Sequence, residues 1–159
     1  MIRLGTDIVY IPRIQAAVER FGDRFLQRVY TPIEQQHCGY YSQNLANPSF
    51  ERLAGRWAAK EAVVKALGTG WRGVSYTDVE IGWAKSGKPS VTLHERAAAV
   101  AATLGEQKSA KNDFSLLDFL QLEKPPASLS NTTDSSNFWQ LSLSHDRNYA
   151  IATAIFVYF

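Results

Sequence analysis

The sequence predicts an α+β fold, a single domain in which a mostly antiparallel sheet packs on a long central helix. Helical and strand-like segments are mixed along the 159 residues without the regular alternation that builds a parallel sheet. Strand-like segments also come in pairs joined by turn-forming residues, a pattern typical of hairpins. The strongest helical segment, Phe50–Leu67, lies between them and is rich in Ala, Lys, Glu and Leu.

The first third of the chain predicts a strand followed by a helix. Ile2–Tyr10 contains β-branched residues around a polar Gly5-Thr6-Asp7 step, which favours a strand. Residues 13–29 are predicted to form one helix, because stepping at 100° per residue places four apolar side chains in one arc: Ile14, Val18, Phe21 and Phe25. Gly22 weakens this helix and marks a place where it can bend. Thr31-Pro32 ends the segment or begins a new short helix.

The remaining elements follow from their bounding residues. Asn47-Pro48-Ser49 is a favourable helix entry, and Gly68-Thr69-Gly70 stops the central helix. Val79–Trp83 and residues 90–93 are predicted strands joined by Ser86-Gly87-Lys88-Pro89. A helix over 95–104, two strands over 139–144 and 149–157, and a tight connection over 145–148 complete the prediction.

Residues 105–138 are predicted to be an insertion, partly mobile, with one apolar segment docked on the domain. Residues 125–137 are rich in Pro, Ser, Asn and Thr, which bury too little apolar surface to order themselves. Residues 114–122 are apolar but fit neither a helical stripe nor strict alternation.

Composition excludes several classes of protein. The net charge of +2 is too small to indicate a nucleic-acid partner, so an acidic partner would need a local basic patch. No apolar run approaches the roughly 20 residues of a membrane span, and the N-terminus lacks the apolar core of a signal peptide. The single cysteine, Cys38, cannot form an internal disulfide, which suits a reducing cytoplasm.

The central helix carries an acid and a base beside small side chains. Stepping at 100° per residue places Ala54, Ala58, Glu61 and Lys65 on one face. An exposed Glu–Lys pair that adds a few tenths of a kcal/mol to helix stability is the simpler interpretation of this spacing. Asp7 favours a second interpretation, in which the acids bind a cation, because an acid within an apolar strand is costly to bury without a partner. Asp7 and Glu61 are therefore candidate ligands of Mg²⁺, although a turn or edge aspartate is the alternative for Asp7.

Two further polar features are open to more than one interpretation. His145, in Ser142-Leu143-Ser144-His145-Asp146, ends a predicted strand and could bind phosphate or transfer a proton, or else be satisfied by neighbouring backbone. Helical stepping over residues 13–29 also places four arginines in one narrow arc, a ridge formed by Arg13, Arg20, Arg24 and Arg28. Such a ridge beside apolar side chains suits an acidic helical partner, and an ordinary solvated face is the alternative.

Taken in order, these motifs resemble the holo-(acyl carrier protein) synthases of the 4′-phosphopantetheinyl transferase family. The resemblance covers residues 1–104 and 139–159. It rests on GTDIV at 5–9 followed by Arg13-Ile14, RFL at 24–26 with Thr31 and Glu34, LAGRWAAKEA at 53–62 with KALG at 65–68, SGKP at 86–89, and SLSHD at 142–146 with Tyr149-Ala150. The 105–138 insertion departs from the family pattern, as does Trp57, where phenylalanine is common.

The resemblance implies a 4′-phosphopantetheinyl transferase-like fold and a role for each matching residue. Asp7 and Glu61 would bind Mg²⁺, and Lys65 would contact the phosphates of coenzyme A. Arg56 and His145, with Lys88 nearby, would hold its adenosine-phosphate end. Arg13, Arg20 and Arg24 would meet the acidic helix of acyl carrier protein. The family also implies a homotrimer with active sites at subunit interfaces.

The implied reaction is attack by a carrier serine on the β-phosphorus of coenzyme A, with adenosine 3′,5′-bisphosphate as leaving group. Catalysis of such a transfer is mainly positioning and charge neutralisation. Lys65 would stabilise charge on the leaving phosphate, and the base is either Glu61 or a water molecule on the metal. Two other hypotheses stay open from sequence: a Mg²⁺-dependent hydrolase of a nucleotide or pyrophosphate, and a trimeric binding module in which Glu61 and Lys65 are structural.

Overall fold

The computed structural model describes residues 1–40, 48–106 and 137–158, and it confirms the α+β class. The helices are α1 (Ile11–Phe21), α2 (Asp23–Val29), α3 (Pro32–His37), α4 (Phe50–Leu67) and α5 (Glu95–Glu106). The strands are β1 (Ile2–Tyr10), β2 (Val79–Trp83), β3 (Pro89–Leu93), β4 (Asn137–Asp146) and β5 (Tyr149–Tyr158), and a 3₁₀ turn spans Tyr76–Asp78. None of these helices is long and apolar enough to cross a bilayer.

Within the described ranges, every strand pairing is antiparallel, as predicted, but the strands form two sheets. One has the order β1-β5-β4, with Asp7 opposite Ala152, and the other pairs β2 with β3. Helix α4 packs across the inner face of the three-stranded sheet, where it contacts β1 and β5 most extensively. The predicted sheet on a central helix is therefore the three-stranded one.

The helix lies unusually close to β1 because Gly5 has no side chain. A Cβ atom at Gly5 would stand 1.9 Å from the carbonyl oxygen of Ala62 and 2.7 Å from the amide nitrogen of Ala66, both in α4. The facing residues of β5 are small and fully buried as well: Ala150, Ala152 and Ala154. Close backbone approach of this kind brings side chains of β1 next to those of α4.

The predicted single helix over residues 13–29 is wrong. It is two helices, separated at Gly22, whose φ of 54° lies outside the right-handed helical region. The first begins at Ile11, with Pro12 in its first turn. The apolar stripe predicted across it breaks as well, since Ile14 is 2% exposed while Phe21 is 54% exposed.

The last hairpin is longer than predicted. Strand β4 runs through His145 and Asp146, which pair with Ala150 and Tyr149, so the connection shrinks to Arg147-Asn148. Arg147 adopts a φ of 49°, a backbone conformation found in tight hairpin turns. Helix α5 extends to Glu106, and most of the predicted 105–138 insertion lies outside the described residues.

The outer face of the three-stranded sheet is exposed and is apolar along β1 and β5. Side chains alternate along each strand, and on these two strands most of those facing away from α4 are hydrophobic. In cross-strand register, Ile8 stands opposite Ile151, Leu4 opposite Ile155, and Tyr10 opposite Tyr149. We call this surface the outer sheet face; its large exposed residues are Ile2, Leu4, Ile8, Tyr10, Phe138, Tyr149 and Ile151.

Candidate active site

The structure brings Asp7 and Lys65 into direct contact. Lys65 Nζ lies 2.8 Å from Asp7 Oδ1 and donates a second hydrogen bond to the Thr6 carbonyl at 2.9 Å. Asp7 is two residues beyond Gly5 on the same face of β1, so the close approach at Gly5 sets its position beside α4. The Lys65 side chain is 51% exposed and that of Asp7 18% exposed, so the pair borders solvent.

Glu61 lies one helical turn before Lys65 and is held by two aromatic side chains. Trp71 Nε1 donates to Glu61 Oε2 at 3.0 Å, and the Tyr76 hydroxyl donates to Oε1 at 3.1 Å. The pKa of Tyr76 is raised to about 12, mainly by burial, with smaller contributions from the negative charges of Glu61 and Asp7. The hydroxyl therefore stays protonated at neutral pH, and both carboxylates lie within electrostatic range of it.

The carboxylate oxygens of Asp7 and Glu61 are suitable ligands for a hard divalent cation. Each Glu61 oxygen accepts one hydrogen bond and keeps a further lone pair, and Asp7 has an oxygen that Lys65 does not contact. In the described ranges, no three or more Asp, Glu, His or Cys side chains group together as a metal site. Mg²⁺ is typically bound in this sparse way, by one or two carboxylates with water and substrate phosphate completing the octahedron.

An aromatic stack supports Glu61 from behind. The Tyr76 ring contacts Trp71, at a centroid distance of 3.8 Å, and Trp57, at 5.0 Å. Trp57 in turn stacks on Phe25 of α2 at 5.7 Å. Sequence reasoning missed Trp71 and Tyr76, because they follow the end of α4 in a stretch without helical or strand periodicity. The sequence offered one indication of them: both aromatic residues lie within six positions after Gly70, where the central helix is predicted to stop.

A second feature is a cavity of about 300 Å³ near the N-terminal half of α4. It is lined by Glu51, Arg52, Gly55, Arg56, Ile81, Trp83, Leu143, Ser144 and His145. Arg56 is 4% exposed, and its Nη1 donates to the Arg52 carbonyl at 3.4 Å. Its Nε and Nη2 atoms have no hydrogen-bond partner among the described residues. A buried guanidinium with free donors is costly unless an anion pairs with it.

The remaining predicted residues are more scattered. Lys88 is exposed on the β2–β3 turn and does not line the cavity, whereas Trp83, which sequence reasoning missed, does. Arg13, Arg20, Arg24 and Arg28 are all exposed, but the break at Gly22 means that they do not share one helix face. Arg13 lies within electrostatic range of Tyr76, since its positive charge lowers the pKa of Tyr76 against the larger effect of burial.

Comparisons with known proteins agree on one family. A family model described as the 4′-phosphopantetheinyl transferase superfamily matches residues 3–116. The holo-[acyl-carrier-protein] synthase of Gloeobacter violaceus is 45% identical over 151 residues, which is 95% of this chain and 89% of that protein. The holo-[acyl-carrier-protein] synthase of Koribacter versatilis is 40% identical over 95% of this chain and 94% of that protein.

Solved structures give the same result for the fold. The ACPS–CoA complex of Chronobacterium ammoniagenes is 26% identical, with a TM-score of 0.65, and the match covers 100% of this chain and 98% of that one. The holo-ACP-synthase of Plasmodium yoelii is 25% identical, with a TM-score of 0.68 over 99% of this chain and 94% of that one. The predicted fold type is thus confirmed.

Proposed function

The chain belongs to the 4′-phosphopantetheinyl transferase superfamily, and on this basis we infer that it is a holo-(acyl carrier protein) synthase acting as one transferase domain. It transfers the 4′-phosphopantetheine group from coenzyme A to a serine of acyl carrier protein and releases adenosine 3′,5′-bisphosphate, for fatty acid biosynthesis. The observation that carries this inference in the structure is the contact of Asp7 with Lys65 beside Glu61. The buried, free thiol of Cys38 is in keeping with a reducing, cytoplasmic setting.

Asp7 and Glu61 would hold Mg²⁺, which when bound supplies Lewis-acid neutralisation of the pyrophosphate. Lys65 is placed to neutralise part of the pyrophosphate charge as well. Its ammonium group is held at the solvent-facing side of Asp7 by Thr6 and Asp7 oxygens, and one N–H donor stays free for a phosphate oxygen. A preorganised cation of this kind stabilises the charge that develops on the leaving phosphate.

The cavity at Arg56 would hold the 3′-phosphate of coenzyme A. The two unpaired donors of Arg56 match the oxygens of a phosphate, and His145 lines the same cavity. We expect Arg56→Met to lose most of the preference for coenzyme A over 3′-dephospho-coenzyme A, measured as the ratio of their dissociation constants. His145→Gln serves as a second, less buried variant, and an unchanged ratio in both would refute the assignment.

Exposed arginines of α1 and α2 would dock the acidic carrier. The pair Arg20→Gln/Arg24→Gln should raise the KM for acyl carrier protein with little change in the KM for coenzyme A, because rim charges act mainly on association. The control Arg72→Gln/Arg96→Gln removes the same charge from two other exposed sites. Equal KM values for the two double variants would count against the docking surface. Arg13 is left out of this comparison because its charge acts on Tyr76, which contacts Glu61.

The outer sheet face would be buried in a homotrimer. An apolar surface of this extent is uncommon on a monomer and marks an interaction site. Ile8→Lys places a charge on this face, opposite Ile151, and should convert trimers to monomers in light scattering coupled to size-exclusion chromatography. Because the family implies active sites between subunits, the same variant should lose transferase activity. A wild-type chain that elutes as a monomer would exclude the trimer.

The transferase activity itself is tested by measuring the molecular mass of the carrier protein after the reaction. Apo carrier protein incubated with coenzyme A, Mg²⁺ and this chain should gain the mass of one phosphopantetheine group. Asp7→Ala and Glu61→Ala should each abolish that gain while keeping a cooperative unfolding transition. A chain that hydrolyses coenzyme A without modifying the carrier would instead be a hydrolase, and full activity of either variant would remove the metal assignment.

A further inference from the structure

The Glu61 carboxylate accepts hydrogen bonds from two side chains, Trp71 and Tyr76, that no sequence motif indicated. We propose that Tyr76 and Trp71 are positioning residues that orient the Glu61 carboxylate for binding of a divalent cation. This inference rests on the proposed function, since it assumes that Glu61 is a metal ligand. Neither residue is proposed to touch the substrate.

The geometry is that of a carboxylate clamped from two sides. Trp71 and Tyr76 contact different oxygens of Glu61, at 3.0 and 3.1 Å, so the plane of the carboxylate is fixed. Glutamate has three rotatable side-chain bonds, and each bond left free would lower the fraction of time in which its oxygens meet a cation beside Asp7. Hydrogen bonds to a metal-ligating carboxylate are a common means of fixing this orientation.

The two donors are themselves held rigidly. The Tyr76 ring stacks on the indole of Trp71, with centroids 3.8 Å apart, and contacts the indole of Trp57 in a tilted arrangement at 5.0 Å. The stack continues to Phe25, so four rings from three parts of the chain set the position of one hydroxyl and one indole N–H. Donors on such a support lose little conformational entropy when they bind the carboxylate, which favours preorganisation over a chance contact.

Conservative substitutions separate orientation from packing. Tyr76→Phe removes only the hydroxyl and keeps the stacked ring, and Trp71→Phe removes the N–H while keeping an aromatic side chain. Tyr40→Phe is the matched control, because Tyr40 also donates its hydroxyl to a carboxylate, that of Asp23, at an exposed place on α2. The readout is the dissociation constant of Mg²⁺, measured by calorimetry on the full chain in the presence of coenzyme A.

We expect Tyr76→Phe and Trp71→Phe each to raise the dissociation constant of Mg²⁺ by about 10-fold, the lower end for outer-shell partners of metal ligands. The affinity for coenzyme A without metal and the melting temperature should stay at wild-type values, and so should every property of Tyr40→Phe. Saturating Mg²⁺ should restore most of the turnover, which a purely structural loss would not allow.

The outcomes distinguish this inference from the proposed function. If wild-type protein shows no metal-linked binding of coenzyme A, the proposed function fails first. If wild type shows it and both Phe variants bind Mg²⁺ with wild-type affinity, the positioning role is refuted while the function stands. Tighter binding in Tyr76→Phe would refute it as well, because the hydroxyl would then compete with the cation for Glu61.

Discussion

Helix α4 carries two lysine–carboxylate pairs with the same N···O distance, 2.8 Å, in opposite surroundings. Lys60 pairs with Glu34 of α3, and both side chains are fully buried. Lys65 pairs with Asp7 of β1, and both side chains reach solvent. The lysines are five positions apart, so one helix presents the same chemistry once to the core and once to the site.

The buried pair has additional hydrogen-bond partners on both sides. Lys60 Nζ also donates to the carbonyls of Tyr76, at 2.8 Å, and Val79. Glu34 accepts from the amides of Thr31, at 2.8 Å, and Ile81, at 2.9 Å, so that it caps α3 and anchors β2 at once. Burial lowers the pKa of Lys60, and the charge of Glu34 opposes that effect. Such a pair ties four elements together, and because both side chains are fully buried it is closed to a ligand.

The open pair is different because it is incompletely satisfied. Lys65 keeps a free donor, Asp7 keeps a free oxygen, and Glu61 stands one turn away with further lone pairs. Solvent screening makes the pair itself worth little to the fold, on the order of 0–1 kcal/mol. Equal distances therefore conceal opposite roles: the buried pair specifies the structure, and the open pair is available to bind ligands.

The largest effect should come from breaking the buried pair. Lys60→Met removes one partner and leaves Glu34 as an uncompensated buried charge, so we expect a loss of about 3–5 kcal/mol in the free energy of unfolding. Urea denaturation followed by circular dichroism measures this loss. Lys65→Met is the matched control, since it is the same substitution on the same helix and should cost at most about 1 kcal/mol. Similar losses in both variants would contradict the comparison.

The reverse result is expected for activity. Lys65→Met should lower turnover by about 10²–10³-fold, the usual cost of removing one preorganised group that stabilises developing charge. Turnover is measured as modified carrier per unit time at saturating coenzyme A and Mg²⁺. The unfolding midpoint recorded on the same sample shows that the loss is chemical. Wild-type turnover in Lys65→Met would remove Lys65 from the site.

The sequence singled out the residues of the open pair but not those of the buried one, although it did not predict that Asp7 and Lys65 contact each other. Helical stepping places Glu61 and Lys65 on one face whatever the rest of the chain does, because both belong to one continuous helix. Asp7 stood out as an acid in an apolar strand, and the motif resemblance joined it to them. The buried status of Lys60 had no such local signal, since lysine is rarely buried and its partner Glu34 is 26 positions away.

The arginine ridge was misplaced, and Trp71 and Tyr76 were missed, for the same physical reason. The arginine ridge over residues 13–28 assumed a straight helix, but tertiary packing uses Gly22 to break it, and a periodicity calculation cannot detect a break between two helical segments. Trp71 and Tyr76 meet Glu61 only because the chain turns back after Gly68. Contacts made by such non-periodic segments depend on the whole fold, which local patterns do not contain.

The smallest effect should be that of Lys65→Met on the reactivity of Cys38, which lies 1% exposed at the end of α3. Burial raises the pKa of this thiol to about 11, and the charge of Arg56 opposes the shift. The folded state therefore holds the thiol proton more tightly than the unfolded state does. The resulting stabilisation is fully present below the ordinary pKa of 9.0 and is lost as the pH rises toward 11. At about pH 8, labelling by a thiol reagent should therefore follow the population of opened molecules. Lys65→Met should speed labelling no more than about fivefold, because a loss of about 1 kcal/mol corresponds to that factor. Lys60→Met should speed it far more, and equal rates in the two variants would show that the core does not distinguish the pairs.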